Sequence, residues 1–175
     1  MRRALGAAQD ALRDRDLGSL RWVRPEGVHL TLKFLGETPA DRLDAVRTAV
    51  AAAARGRAPF RLSLGPAGTF GGRRPRVLWL AIEGDVEPLR ELQSAVEREL
   101  VAAGFPPEER DYSPHLTLAR VPQPPSPATA RRLAEALAGL DPPSAEFDVE
   151  ELLLMRSHLQ PAGAVYETLA AFPLR

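Results

Sequence analysis

The tetrapeptide His-Leu-Thr-Leu occurs twice, at residues 29–32 and 115–118, and the two copies hold two of only three histidines in the 175-residue chain. This repeat constrains backbone and chemistry together. Side chains alternate between the two faces of a strand. Each copy, read as a strand, therefore puts its His and Thr on one face and both Leu on the other. The leucine faces need helices over them, and the His/Thr faces are left to line a groove. Two such strands bring two imidazoles and two hydroxyls to one point. A half-chain period is far too long for a solenoid. It fits a single domain, residues 1–175, built of two half-repeats.

The segments around each copy follow the same order. Helices are expected over residues 4–16, from Thr38-Pro39 to Arg55, over 86–103, and from Ser126-Pro127 to Leu140. Thr38 and Ser126 read as N-cap hydroxyls with Pro at the first helical position. Gly56 and Gly104 read as stops. Strands are expected at 20–23, 28–35, 60–64, 77–82, 147–155 and 165–172, and at the second tetrapeptide. A Gly/Arg/Pro-rich loop covers 68–75, and Gln160-Pro161-Ala162-Gly163 joins the last two strands. The expected class is α+β: two pseudo-symmetric lobes of antiparallel sheet with outer helices and a central cleft.

Composition narrows the chemistry. With no cysteine, disulfides, thiolate zinc sites and a cysteine nucleophile are excluded, and a cytoplasmic location is expected. No run of 18 apolar residues suggests a membrane span. Zero net charge argues against a protein that coats long nucleic acid, but leaves room for a pocket that takes one nucleotide end. Of 23 basic residues only Lys33 is not arginine. A GC-rich coding sequence explains that bias, and arginine also binds phosphate bidentately.

The paired histidines suggest phosphodiester chemistry without a metal or other cofactor. A neutral imidazole takes a proton from water and a protonated one gives a proton to the leaving alkoxide. Imidazole, with a reference pKa near ~6.5, supplies both states at neutral pH. The Thr31 and Thr117 hydroxyls can donate to the phosphoryl oxygens, each such preorganised donor being worth roughly 2.7–4 kcal/mol. A zinc site would want a third ligand, and no Cys or further His stands at ligand spacing. His158 lacks the Thr partner and reads as a loop or strand-end residue. Lys33 continues the His29/Thr31 face by parity, so it either approaches substrate or is a solvated strand end. Arg120 falls by parity on the leucine face and reaches a phosphate only if the strand twists or ends there. Arg73, Arg74 and Arg76 form a basic cluster beside Phe70, either a solvated loop or a place where an RNA backbone is held and a base stacked.

Two His-x-Thr-x motifs half a chain apart resemble the signature of the 2H phosphoesterases. His29-Leu30-Thr31-Leu32-Lys33-Phe34-Leu35-Gly36-Glu37 and Pro114-His115-Leu116-Thr117-Leu118-Ala119-Arg120 are similar to the two motifs of the LigT-like group, the RNA 2′,3′-cyclic phosphodiesterases also called 2′-5′ RNA ligases. Pro75-Arg76-Val77-Leu78-Trp79-Leu80 and the stretch from Ser157 to Leu174 are similar too. The resemblance implies a bilobal fold with the site in its cleft. It also implies metal-free hydrolysis of RNA 2′,3′-cyclic phosphate ends to 2′-phosphates. By motif position His29 is the proton donor and His115 the acceptor. Thr31, Thr117 and Arg120 hold the phosphate, with Lys33, Phe70 and Arg76 as further substrate contacts. The partner is an RNA 3′ end, and a monomer is expected. Family members open with an apolar strand, whereas this chain starts almost inside its first helix. The first lobe is therefore expected to lack a strand, or the start site to be misassigned. Two other readings stay open: an RNA-end binding module without turnover, and a related 2H enzyme acting on small cyclic nucleotides, an ADP-ribose cyclic phosphate or 2′-5′ linkages.

Overall fold

Leu5, Ala8 and Leu12 recur at helical spacing, and the helix they predict forms as α1 (Arg2–Arg13), with those three residues buried. The computed structural model describes residues 1–141, 144–160 and 163–175. The chain divides into two compact units, each drawing on three segments. Unit one comprises residues 1–30, 63–83 and 114–147; unit two comprises 31–62, 84–113 and 148–175. The two halves of the sequence are therefore not the two units.

Unit one carries α1, β1 (Arg21–Trp22), β4 (His115–Arg120) and α4 (Pro127–Ala138), most of β2 (Phe60–Phe70) and β3 (Val77–Gly84), and half of β5 (Glu146–Val149). These strands form one sheet in the order β1-β4-β3-β2-β5, with β4 antiparallel to both its neighbours. Leu78, Leu80, Leu116 and Leu118 point to its buried face and are 0 or 1 % exposed. Burying each stabilises the sheet by roughly 1.5–3 kcal/mol. Helix α4 starts as the sequence predicts. Ser126 Oγ accepts from the Thr129 N–H at 3.1 Å, and Pro127 sits in the first turn, where its missing N–H costs nothing.

Unit two holds α2 (Leu43–Ala54), α3 (Val86–Ala102), β6 (Glu151–Gln160) and β7 (Gly163–Pro173), the last two forming an antiparallel ribbon. Its core joins Val46, Val50 and Ala53 of α2, Leu92, Val96 and Leu100 of α3, and Leu152 and Leu154 of β6. Gly104 ends α3 at φ +85°, and the Phe105 N–H reaches back to the Leu100 carbonyl. The expected 147–155 strand is broken at Glu150 into β5 and β6. Of the expected Gln160–Gly163 connection, Pro161 and Ala162 lie outside the described residues.

Two expectations fail here. Thr38 does not cap α2. Its hydroxyl donates to the Gly36 carbonyl at 3.4 Å, and a single 3-10 turn, Ala40–Arg42, precedes the helix. Residues 28–35 form no strand ladder. Alternating leucines specify an extended backbone, not a partner strand. Leu32 and Leu35 pack onto the unit-two core, and Lys33 is tied by its side chain to α3. No helix among the described residues is long and apolar enough to cross a membrane.

Candidate active site

The second motif lies in β4, and its register on β3 decides what it can present. Ala81 pairs with His115, Leu80 with Leu116 and Trp79 with Thr117; the register then shifts, so that Leu78 pairs with Ala119 and Val77 with Arg120. Leu118 is the extra residue of a β-bulge. The bulge reverses the parity beyond it. Leu118 and Ala119 are consecutive and both buried, while Arg120 is exposed. Directly opposed residues share a face. Val77, Trp79 and Ala81 are alternate residues of β3, so Arg120 stands on the face of His115 and Thr117. The parity that set Arg120 on the leucine face is thus corrected by one inserted residue.

A buried glutamine holds the bulge. Gln9 of α1 is 0 % exposed, and its Nε2 donates to the carbonyls of Leu118 at 2.9 Å and Val23 at 2.7 Å. The Leu118 carbonyl also accepts the Val23 N–H at 3.0 Å. Sequence reasoning passed over Gln9. The available signal was a polar residue within the apolar stripe of an amphipathic helix.

His115 has an aromatic mount. Phe70 meets its ring edge-on, with centroids 4.8 Å apart at 85°, and Trp79 lies 6.5 Å away. Phe70 and Trp79 contact each other at 5.1 Å. Gly68 makes this possible. A Cβ there would fall 2.3 Å from Trp79 Cη2 and 2.5 Å from Cζ2. Gly68→Ala must therefore push the indole off its seat. Overpacking of this kind costs about 1–3 kcal/mol. Urea denaturation should show that loss, and turnover per folded molecule should fall with it, because the imidazole loses its support. Unchanged stability and unchanged turnover would refute the mount.

The first motif is placed differently. His29 belongs to unit one and Thr31 to unit two. His29 Nδ1 lies 2.9 Å from the Gly27 carbonyl, at the end of the Pro25–Gly27 turn. A carbonyl only accepts, so this bond requires the proton on Nδ1. Thr117 is half-buried on β4 and Thr31 is exposed.

The remaining candidates separate. Lys33 is neither a solvated strand end nor a phosphate ligand at hand. Its side chain is 6 % exposed, and Nζ donates to both Glu97 carboxylate oxygens (2.9 and 2.7 Å) and to the Pro106 carbonyl (2.9 Å), all within unit two. The basic loop cluster divides. Arg73 and Arg74 line an open depression of about 800 Å³ with Pro124, Pro125 and Arg131. Arg76 instead faces a second depression with Arg21 and Arg120. His158 lies within β6, not in a loop, and its Nε2 is 2.8 Å from Glu167 Oε2 on β7. Burial pushes the Tyr112 phenol above its ordinary value, so it stays protonated at neutral pH. Among the described residues no three His, Asp or Glu side chains come together as a metal cage.

The chain has close counterparts. A family model described as the 2′-5′ RNA ligase superfamily matches residues 3–161. The RNA 2′,3′-cyclic phosphodiesterase of Methanothermobacter thermautotrophicus is 38 % identical over 168 residues, covering 95 % of this chain and 88 % of that one. The Thermus thermophilus protein of the same name is 37 % identical over 158 residues, covering 87 % and 75 %. The solved structure of TT0787 from Thermus thermophilus superposes with a TM-score of 0.77 at 32 % identity, covering 99 % of this chain and 91 % of that one. Escherichia coli LigT complexed with 3′-AMP shares the fold, with a TM-score of 0.73 at 24 % identity, covering 96 % and 91 %. The fold is the α+β, LigT-like one, and the chain belongs to the 2′-5′ RNA ligase superfamily.

Proposed function

We propose that this chain hydrolyses RNA 2′,3′-cyclic phosphate ends to 2′-phosphates by acid–base catalysis between His29 and His115, without a metal. The observation that carries the reading is the shared face of His115, Thr117 and Arg120 on β4, which sets a base, a hydroxyl donor and a guanidinium in one row. Relatives named RNA 2′,3′-cyclic phosphodiesterase, similar over nearly the whole chain, support the substrate.

In this scheme His115 takes a proton from water as the water oxygen attacks phosphorus. The bond from phosphorus to the 3′ oxygen breaks, and protonated His29 gives its Nε2 proton to that oxygen. The product is a 2′-phosphomonoester with a free 3′ hydroxyl. The histidines end with their protonation states exchanged and reset through solvent. Thr31, Thr117 and Arg120 receive the charge that grows on the non-bridging oxygens, where fixed donors act more strongly than water does. The enzyme works as a monomer in the cytoplasm on RNA 3′ ends. The test is product analysis on a short RNA ending in a 2′,3′-cyclic phosphate, with EDTA present. The expected product is the 2′-phosphate, with a bell-shaped dependence of rate on pH. Tight binding without product, a 3′-phosphate product, or inhibition by EDTA would each defeat the proposal.

A further inference from the structure

Several arginines of the chain find a carboxylate. Arg13, Arg47, Arg61, Arg98 and Arg132 each lie within 2.8–3.4 Å of one. Arg21, Arg76 and Arg120 have none among the described residues, yet all three line one open depression of about 440 Å³. Arg21 and Arg120 are direct cross-strand partners of β1 and β4. Arg76 is the residue before Val77, the other partner of Arg120, and its carbonyl accepts the Val121 N–H at 2.9 Å. Like charges opposite each other across a ladder destabilise it. A chain of zero net charge that places three unpaired guanidinium groups together carries that cost for an anion.

The position of the anion follows from the register. Arg120 is in the row of Val77, and Thr117 is in the row of Trp79, two residues along β3. The rows are roughly 7 Å apart on the same face. With Arg120 assigned to the reacting phosphate, Arg21 across the ladder on β1 and Arg76 just before Val77 are left for a second phosphate, about one nucleotide away. A cyclic mononucleotide has no such phosphate, whereas an RNA chain has one on the 5′ side of its last nucleotide. We infer that Arg21 and Arg76, which flank Arg120, form a subsite for the phosphodiester immediately 5′ of the terminal cyclic nucleotide, so that the enzyme selects RNA ends over cyclic mononucleotides. This rests on the activity proposed above.

The experiment compares kcat/KM for a 2′,3′-cyclic mononucleotide, a dinucleotide ending in the same group, and that dinucleotide with an uncharged methylphosphonate linkage. Wild type should prefer the charged dinucleotide. Arg21→Gln and Arg76→Gln, both at exposed positions, should each lower the ratio of dinucleotide to mononucleotide kcat/KM by about tenfold. They should also flatten its salt dependence. Equal turnover of all three substrates by wild type, or a variant ratio equal to that of wild type, overturns the subsite. Fluorescence anisotropy with a short oligoribonucleotide 3′-phosphate gives a readout independent of turnover. Weaker binding by both variants supports the subsite, and unchanged binding overturns it. Wild type that binds this probe through the arginines but cleaves nothing would sink the proposed activity and leave the subsite standing.

Discussion

Replacing His115 with alanine is expected to lower kcat/KM on a short cyclic-phosphate RNA by roughly 10²–10⁴-fold, the usual contribution of a positioned general base. The ring is held by Phe70 and Trp79 on a strand whose neighbours are buried leucines, so the substitution removes the imidazole and leaves its surroundings in place. His29→Ala should cost a similar factor, and the double variant little more than either single one, because groups that act as a unit are not additive. The unequal roles have their own test. An aryl phosphodiester expels a phenolate that needs no proton, so on that substrate His29→Ala should recover most of its activity while His115→Ala should not. Equal recovery by both would overturn the assignment of donor and acceptor. Full turnover by the double variant would remove both histidines from the reaction.

What was legible in the sequence was whatever a local period or a local bond decides. Helix α1 follows from its apolar stripe, α4 from the Ser126 hydroxyl and Pro127, and β4 from the alternation of its leucines. Partnership was not legible. The alternation at 28–35 is as regular as that of β4, but only β4 finds strands on both sides. Parity counting also breaks at any insertion in a ladder. The bulge at Leu118 is stabilised by Gln9, which is distant in sequence, so the face of Arg120 could not be counted from the motif. Arg73, Arg74 and Arg76 look alike in sequence. The tight turn in which the Arg74 N–H bonds the Gly71 carbonyl and the Arg76 N–H bonds the Phe70 carbonyl sends them to different depressions. Arg21 gave no signal until its strand partner was known.

Lys33 offers the sharpest contrast between a motif position and a structural one, and its substitution is expected to cost stability instead of chemistry. Nζ has three donors, and Glu97 Oε1, Glu97 Oε2 and the Pro106 carbonyl take all three. Glu97 Oε1 also accepts the Glu108 N–H at 2.8 Å, so the pair ties the irregular 31–36 segment to α3 and to the loop beyond it. Arg42 makes a parallel clamp, donating to the Ala103 carbonyl at 2.7 Å and lying 4.5 Å from the Phe105 ring centroid. These side-chain ties stand where a ladder would have been. Removing one member of a buried pair leaves the other charge uncompensated, so Lys33→Met should destabilise the fold by roughly 3 kcal/mol. Glu97→Ala should do the same. Lys33→Met with Glu97→Leu removes both charges and should recover much of the loss, since an apolar pair of similar size needs no compensation. Urea denaturation of the three variants measures this, and kcat/KM on the folded proteins separates the two roles. If Lys33→Met lost activity at wild-type stability, the ammonium would belong to the substrate and the clamp would be incidental.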